Sequence, residues 1–194
     1  RSSCGATKAP VTAAGAGCTA PSGLNEGSLV ATTVAIVADT HLPRGARRLP
    51  DRCLEICKDA DLIIHAGDLM EQSVLASFAE LGPPVRAVHG NVDSPDLKTQ
   101  LPDRLSLKIE SARIAVIHDS GPKAGRLVRM KGLFPDHDAV IFGHSHLPLH
   151  ETDADFQIFN PGSPTERRRS PFKSMGRAVV EGSDIRFELI DLGT

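Results

Sequence analysis

The sequence contains no tryptophan and no tyrosine, so phenylalanine, with seven residues, is its main aromatic side chain. A platform for stacking nucleic-acid bases would therefore depend on phenylalanine alone. No apolar run approaches the roughly 20 residues that a membrane-spanning helix needs, and no membrane association is expected. A basic excess is lacking too, because 22 Lys and Arg residues face 24 Asp and Glu residues. This balance disfavours proteins that coat nucleic acid and polybasic membrane-binding proteins.

Cysteine is scarce, with four residues in 194. Cys4 and Cys18 lie near the amino terminus, whereas Cys53 and Cys57 are four residues apart and share one face of a predicted helix. This arrangement is not typical of a disulfide framework, which favours a reducing compartment and a cytoplasmic location. A zinc pair at Cys53 and Cys57 is the less favoured alternative, because no other cysteine follows at a ligand spacing.

The sequence is 40% hydrophobic over a length that fits one domain. Residues 1–29 are rich in Ala, Gly, Ser and Thr and have almost no large apolar side chains. They are predicted to form a flexible low-complexity tail, for which a cloning origin, upstream translation and a transit peptide are the alternatives. Residues 30–194 are predicted to form a single domain.

Short apolar runs alternate with helical patterns along this domain. Strands are predicted at residues 33–38, 62–65 and 85–89, with helices at 50–60 and 73–81 between them. The second half is rich in strands, at 104–109, 113–117, 139–142, 147–153, 156–160, 177–181 and 185–189, with one helix over 125–134. Strand–helix units followed by a strand-rich half predict an α/β fold in which two sheets pack together with helices outside.

Polar side chains follow five of the predicted strands. In chain order they are Asp39 and His41, Asp68, Asn91, His118, and His144 and His146. Because ligands bind at the carboxyl ends of strands in α/β sheets, we expect these side chains to line one crevice. Carboxylate, amide and imidazole donors suit Mn²⁺, Fe or Zn²⁺. Seven donors exceed the needs of one ion and fit two ions that share a carboxylate, an arrangement suited to phosphoryl displacement.

Each of these motifs has an ordinary structural explanation when it is taken alone. Asp-x-His and Gly-Asp are common in turns, and the two histidines of Gly143-His144-Ser145-His146 are compatible with a hydrogen-bonded loop. Turn chemistry does not explain five such motifs in this order, each after a predicted strand.

Six motifs follow one another from Val34 to the carboxyl terminus: Asp39-Thr40-His41, Gly67-Asp68, Gly90-Asn91-Val92-Asp93, His118-Asp119, Gly143-His144-Ser145-His146 and Asn160-Pro161-Gly162-Ser163. This series resembles the calcineurin-like metallophosphoesterases, and most of all their small bacterial and archaeal phosphodiesterase branch (YfcE-like). The resemblance implies a four-layer α/β/β/α sandwich of two mixed β-sheets flanked by helices. It places a metal site at the strand ends.

The resemblance also implies roles for individual residues. Asp39, His41 and His146 would bind a first metal ion, and Asp68 would bridge the two ions. The second ion would be bound by Asn91, His118 and His144, which are also the predicted catalytic residues. A water or hydroxide between the ions would attack a small phosphodiester substrate. Mn²⁺ is the favoured ion, with Fe²⁺, Ni²⁺ and Zn²⁺ as alternatives. Asp93 is expected to orient a ligand histidine, and residues 160–163 to have a structural role.

Two positions depart from the family pattern. Val92 stands where many members carry a histidine that stabilises the attacked phosphate or protonates the leaving group, although the small branch often lacks it. We expect Val92 either to limit the enzyme to esters with good leaving groups or to leave the role of general acid to another residue. Asp119 adds a negative charge beside His118, where the branch usually has glycine, and this charge opposes anion binding.

The basic run Arg167-Arg168-Arg169 is expected to be a solvated loop. The alternative assigns Arg167 and Arg169 to a substrate phosphate, for which the arginine fork is suited. Four histidines match no ligand motif and are interpreted as structural or solvated: His65, His89, His137 and His150.

The leading function is a dinuclear metal-dependent phosphodiesterase. The alternative is a catalytically weak or inactive interaction scaffold, because the family includes a retromer subunit that uses the fold in this way. The presence of all seven ligand types favours catalysis. No stable nucleic-acid complex is expected, and a homodimer is the oligomeric state that the resemblance suggests.

Overall fold

A computed structural model describes residues 31–194; the predicted tail over residues 1–29, with Cys4 and Cys18, lies outside the described residues. The strands within this range are β1 (Thr32–Val37), β2 (Leu62–His65), β3 (Val85–Ala87), β4 (Arg104–Ile109), β5 (Ala112–Ile117), β6 (Ala139–Ile141), β7 (Leu149–Asp153), β8 (Phe156–Asn160), β9 (Ser174–Glu181) and β10 (Asp184–Asp191). The helices are α1 (Asp51–Lys58), α2 (Gln72–Ala79), α3 (Pro95–Gln100) and α4 (Arg126–Leu133).

The strands form two mixed sheets of five strands each. The first has the order β10-β9-β1-β2-β3, in which β1, β2 and β3 are parallel and β9 and β10 antiparallel. The second has the order β4-β5-β6-β8-β7, in which β5, β6 and β8 are parallel and the outer two strands antiparallel. The predicted fold, two mixed sheets flanked by helices, is confirmed.

The central strands are buried on both faces, which explains their continuous apolar sequences. In β1, Val34 and Ile36 face the second sheet, where they join a cluster that includes Ile114 and Phe159. The intervening side chains of β1 face the other way, into a cluster with residues of α1 and α2. In β5, Ile114 packs between the sheets, whereas Ala115 packs toward Met130 of α4. Strand periodicity therefore produces the four layers.

Cys53 and Cys57 are fully buried free thiols in the cluster between the first sheet and its helices. The hydrogen bond between Cys53 and Cys57, together with burial, raises the pKa of the Cys53 thiol. A raised pKa opposes the thiolate form that a metal ligand needs. The metal-ligand groups found within residues 31–194 contain no cysteine, so the pair acts as small core residues and the zinc alternative has no support.

Two features of the fold go beyond the sequence prediction, which gave no helix over residues 95–100 and assigned no strand to a particular sheet. Helix α3 was not predicted, although Ser94 accepts a hydrogen bond from the Leu97 amide at 3.4 Å and Pro95 begins the helix, which are typical start signals. Strands β9 and β10 return to the first sheet, where β9 pairs with β1.

Residues 31–194 include no helix that is long and apolar enough to cross a bilayer.

Candidate metal centre

The seven predicted ligands come together because the strands that precede them end at the same edge of the sandwich. Backbone hydrogen bonds join the loops: the Asp39 amide donates to Gly67 O at 3.0 Å, and the Gly143 amide donates to His118 O at 2.9 Å. The second of these contacts links two strand ends of the second sheet. The His118 ring also contacts the first sheet, with Nδ1 2.8 Å from Ala66 O.

A first ligand group consists of Asp39, His41 and His146, whose candidate ligand atoms all lie within 4.8 Å of one another. The Nε2 atoms of His41 and His146 are 3.0 Å apart, and His146 Nε2 is 3.5 Å from Asp39 Oδ1. All three residues are at most 2% exposed. The group is therefore a buried cluster of one carboxylate and two imidazoles that face one point.

A second ligand group consists of Asp68, His118 and His144, with ligand atoms again within 4.8 Å of one another. Asn91 joins this group, since its Oδ1 lies 3.1 Å from His118 Nε2 and 3.0 Å from His144 Nδ1. Asn91 and His144 are exposed, whereas Asp68 and His118 are buried. The second group therefore has one side open to solvent.

Asp68 lies between the two groups. Its Oδ2 is 3.3 Å from His118 Nε2 in the second group and 3.5 Å from His41 Nε2 in the first. Its other oxygen, Oδ1, accepts a hydrogen bond from the Val92 amide at 3.0 Å. This position is the one that a carboxylate shared by two ions requires.

The backbone is left-handed at many of the ligands. The φ angles lie between +47° and +68° at Asp39, His41, Asp68, His144 and His146. Each such conformation costs a non-glycine residue roughly 1–3 kcal/mol, and it persists where the surrounding contacts demand it. Strain of this kind at five ligands aims their side chains inward and is typical of a functional site.

The electrostatics of the two carboxylates differ. Burial, with a smaller contribution from the charge of Asp68, raises the pKa of Asp39 to about 7 against the opposing effect of His118. Burial also raises the pKa of Asp68, but its hydrogen bond and charge interaction with His118 outweigh that effect and hold the value at about 2. The same contact raises the pKa of His118 against burial.

The donor set fits divalent cations. Asp39 Oδ2 is buried and has no hydrogen-bond partner among the described residues, and a cation would satisfy it. Burial and the nearby Arg168 lower the pKa of His146 to about 3, which keeps its imidazole neutral and able to coordinate. Oxygen and nitrogen donors in two groups that share a carboxylate match a two-ion site.

The sequence predicted that Asp93 would orient a ligand histidine, and this prediction is wrong. Its carboxylate accepts hydrogen bonds from the backbone amides of Gly90 at 2.7 Å, Met70 at 2.6 Å and Asp68 at 3.2 Å. It therefore fixes the left-handed loop that carries Asp68. Motif spacing could not reveal this role, because the acceptor lies 25 residues from the loop it holds.

The motif over residues 160–163 has the structural role that was predicted. Ser163 Oγ donates to Asp39 O at 2.8 Å, and Asn160 Nδ2 donates to Gly143 O at 2.8 Å. These bonds hold the backbone of the candidate ligand Asp39 and of Gly143, which precedes the candidate ligand His144. Thr165 adds a third bond, from its Oγ1 to Thr40 O at 2.7 Å.

Glu166 is a residue that the sequence reasoning missed. Its Oε2 lies 3.6 Å from Nδ1 of His146, and its Oε1 is 2.9 Å from Arg47 Nη2. The Nδ1 atom and Oε2 are both buried without a hydrogen-bond partner among the described residues. A carboxylate on the far nitrogen of a ligand histidine is a common way of orienting the ring. The available signal was an acid three residues after the 160–163 motif.

The three arginines of the basic run have different surroundings. Arg167 donates from Nη1 to Pro171 O of its own loop at 3.2 Å. Arg168 interacts with Glu166, at 3.6 Å, and its charge lowers the pKa values of His41 and His146. Arg169 lines a separate cavity beside the loop of His144 and His146. The arginine next to the first ligand group is therefore Arg168.

The four histidines outside the motifs have partners away from both ligand groups. His65 is fully buried, lies 3.2 Å from Thr40 Oγ1 and has a pKa that burial lowers to about 3. His137 contacts Ser106 Oγ and His150 contacts Gln157 Oε1, while His89 lies beside Gly90 O. None of them belongs to a metal-ligand group in residues 31–194, as predicted.

The second ligand group opens onto a cavity of about 700 Å³ that Asn91 and His118 help to line. Its apolar wall includes Met130, Leu133 and Phe134 of the α4 region. Asp119 lies on the same cavity, and its Oδ1 accepts a hydrogen bond from the Gly121 amide at 2.7 Å. Val92 is 41% exposed, and its amide donates to the Asp68 carboxylate.

Comparisons with known proteins agree with this geometry. The model of the calcineurin-like phosphoesterase superfamily domain matches residues 33–183. A probable metallophosphoesterase of Methanothermobacter thermautotrophicus is 32% identical over 162 residues, which cover 82% of this chain and 92% of that protein. A phosphodiesterase of Methanocaldococcus jannaschii is 26% identical over 144 residues, which cover 66% of this chain and 82% of that protein.

The fold is also found among solved structures. A Vps29 variant from Entamoeba histolytica superposes with a TM-score of 0.67 at 19% identity, covering 82% of this chain and 98% of that one. At this identity the match shows a shared fold. The family model covers most of the chain, and the Methanothermobacter thermautotrophicus relative is 32% identical to it. The chain therefore belongs to the calcineurin-like phosphoesterase superfamily.

Proposed function

We propose that this protein is a dinuclear metal-dependent phosphodiesterase. The observation that carries the proposal is the convergence of seven nitrogen and oxygen donors into two groups that share Asp68. The named phosphodiesterase relative supports the same reaction. Mn²⁺ is the proposed ion, because oxygen and imidazole donors without thiolate suit it, and Fe²⁺, Ni²⁺ and Zn²⁺ are the alternatives.

The residues divide the work of binding and positioning. Asp39, His41 and His146 would hold one ion and Asn91, His118 and His144 the other, with Asp68 shared. Two bound divalent ions supply positive charge that stabilises phosphoryl oxygens and lowers the pKa of a water molecule. Neither ligand group contains a serine or cysteine nucleophile, so the new P–O bond forms with an oxygen from water and one ester P–O bond breaks.

The open side of the second group determines where the substrate binds. Asn91 and His118 line both this group and the cavity of about 700 Å³, so one ester group of a phosphodiester would occupy that cavity. Its apolar wall favours an organic ester group of moderate size. Val92 provides no proton donor for the leaving group, which favours esters that leave readily as anions.

The test is hydrolysis of bis-(p-nitrophenyl) phosphate by chelated protein to which Mn²⁺, Ni²⁺, Fe²⁺ or Zn²⁺ is returned. We expect metal-dependent turnover that Asp68→Asn lowers by about three orders of magnitude or more, because a shared ligand acts on both ions. Asp96→Asn, the same change at an exposed position of α3, is the matched control and should retain full activity.

The second candidate function is that of an interaction scaffold, and the observation that favours it is the fold shared with Vps29. The seven retained donors and the left-handed strain at five of them favour catalysis. Absence of turnover with all four metals, in protein that still binds metal, would favour the scaffold.

A further inference from the structure

A second cavity, of about 360 Å³, lies against the loop that carries His144 and His146. Ser145, between these two candidate ligands, forms part of its wall. Three cationic side chains line the cavity and no carboxylate does: they are Lys123, Arg126 and Arg169. Leucine and proline side chains complete the wall. The cavity therefore combines a concentrated positive charge with an apolar floor, one residue away from two metal ligands.

Arg126 has donors to spare, in contrast to its neighbour Arg129. The guanidinium of Arg129 donates to the carbonyl oxygens of Ser120, Pro122 and Ala124, so it braces its own loop. Arg126 makes one longer bond, from Nη2 to Gly121 O at 3.4 Å, and its buried Nε has no partner among the described residues. Because a guanidinium has five N–H donors, Arg126 is equipped to bind an anion.

The surroundings of Arg126 leave it without a close counter-charge. Its guanidinium carbon lies 5.1 Å from the ring centre of Phe142, and burial lowers its pKa. Glu151 and Asp119 act on it from a distance and raise the pKa, but neither lines the cavity. A bound anion would compensate a partly desolvated cation and would form the charge-assisted hydrogen bonds that the guanidinium lacks.

We infer that this cavity binds a phosphoryl group, and that the substrate is a phosphodiester that carries a second phosphate away from the bond that is cleaved. Three cations without a lining carboxylate match a dianionic group better than a neutral one. Ser145, in the cavity wall, directly follows the candidate ligand His144, with neighbouring Cα atoms about 3.8 Å apart, and this adjacency is the ground for linking the anion site to the substrate. The assignment to substrate rests on the proposed function, whereas the anion site itself does not.

Two chromogenic diesters separate the substrate phosphate from the rest of the molecule. Thymidine 5′-(p-nitrophenyl phosphate) lacks the second phosphate, and its 3′-phosphorylated form carries it; both release p-nitrophenolate. With Mn²⁺-loaded protein we expect kcat/KM to be about tenfold or more higher for the phosphorylated diester, the size expected from one or two charge-assisted hydrogen bonds.

The variants remove charge from the exposed part of the cavity. Lys123→Gln combined with Arg169→Gln should bring the ratio of the two kcat/KM values close to one. Arg126→Gln is the second variant, with the same expected loss of preference. Arg86→Gln, at an exposed position of β3 far along the chain from the cavity, is the matched control and should keep the wild-type ratio.

Calorimetry with inorganic phosphate on chelated protein tests the anion site without turnover. We expect binding that the double variant weakens by about tenfold, which upholds the site even if no diester is hydrolysed and the proposed function fails. Phosphate binding of this kind together with equal kcat/KM values would assign the site to a free phosphate and overturn the substrate assignment. Equal kcat/KM values, with phosphate binding absent or insensitive to the variants, would overturn the whole inference.

Discussion

The two ligand groups share Asp68 but differ in their access to solvent. Asp39, His41 and His146 are at most 2% exposed and are closed off by the segment after the 160–163 motif. Asn91 and His144 are exposed, and Asn91 and His118 line the cavity of about 700 Å³. If the proposed function is correct, the first group is the one suited to retain an ion and the second the one suited to meet a substrate.

The same contrast appears in the supporting contacts. The loops of the first group are held by Ser163 and Thr165, and Glu166 faces its histidine His146. In the second group, Asn91 and His118 face the cavity of about 700 Å³ instead of such a supporting loop. Burial raises the pKa of Asp39 to about 7, whereas His118 holds that of Asp68 at about 2. We therefore expect loading of the first group to be coupled to proton release.

The largest expected effect comes from a change that disturbs both groups at once. A Cβ atom added at Gly90 would overlap the Asp68 carboxylate and backbone, so Gly90→Ala should displace the shared ligand. We expect phosphodiester turnover to fall by about three orders of magnitude. Gly132→Ala in α4, where the added Cβ meets nothing within 4 Å, is the control and should retain activity with equal or greater stability. Normal activity in Gly90→Ala would contradict the shared role of Asp68.

The next effect separates the two groups. Glu166→Gln should lower the affinity of the first ligand group for its ion by roughly 10- to 100-fold, which is the range for a partner that orients a ligand histidine. Competition with a fluorescent chelator for Mn²⁺ or Zn²⁺ measures this affinity directly, and only the tighter of two binding steps should change. Glu71→Gln, at an exposed acid that precedes α2, should leave both steps unchanged. An equal loss in both steps would remove the distinction between the groups.

A smaller effect concerns the stability of chelated protein. The pKa of Asp39, about 7 in the folded state, lies above its unfolded value near 3.9, so its contribution is present below about pH 4 and is lost as pH rises to about 7. Asp39→Asn lacks this dependence. The free energy of unfolding of the variant, measured relative to wild type by urea titration, should rise by a few kcal/mol between pH 4 and 8. A constant difference would contradict the raised pKa.

The smallest effect concerns the open side. Val92→His would add a proton donor beside the bridging carboxylate, where Val92 is 41% exposed. We expect kcat to rise about tenfold for alkyl phosphodiesters and little for p-nitrophenyl esters, because a poor leaving group gains most from general-acid catalysis. Val92→Gln, which adds polarity without a titrating acid, is the control. No gain on alkyl esters would remove Val92 from the explanation of specificity.

The structure brings together the side chains that the sequence predicted as ligands, because each of them follows the end of a strand by a few residues. Asp39 and Asp68 could be placed at one edge once the strands before them were identified, since parallel strands of one sheet end together. Glu166 and Arg126 could not be found in this way. Their roles depend on how loops close over His146 and Ser145, and nothing in local spacing encodes that closure.

The fold itself shows the same limit. The apolar runs of β1 and β5 predicted buried strands, because burial on both faces leaves a direct mark on composition. The return of β9 to pair with β1 is a long-range choice between two sheets with similar exposed edges. Helix α3 was missed although Ser94 and Pro95 carried its start signal, because six residues give too short a periodic pattern to stand out.

We propose that this protein binds two ions that share Asp68. Mn²⁺ titration followed by electron paramagnetic resonance is the direct test of this arrangement. For chelated wild-type protein we predict two Mn²⁺ ions per chain and, at saturation, the spectrum of a spin-coupled pair, with coupling lost in Asp68→Asn. Binding of a single ion, or of two ions whose spectra stay independent in the wild-type protein, would contradict the account.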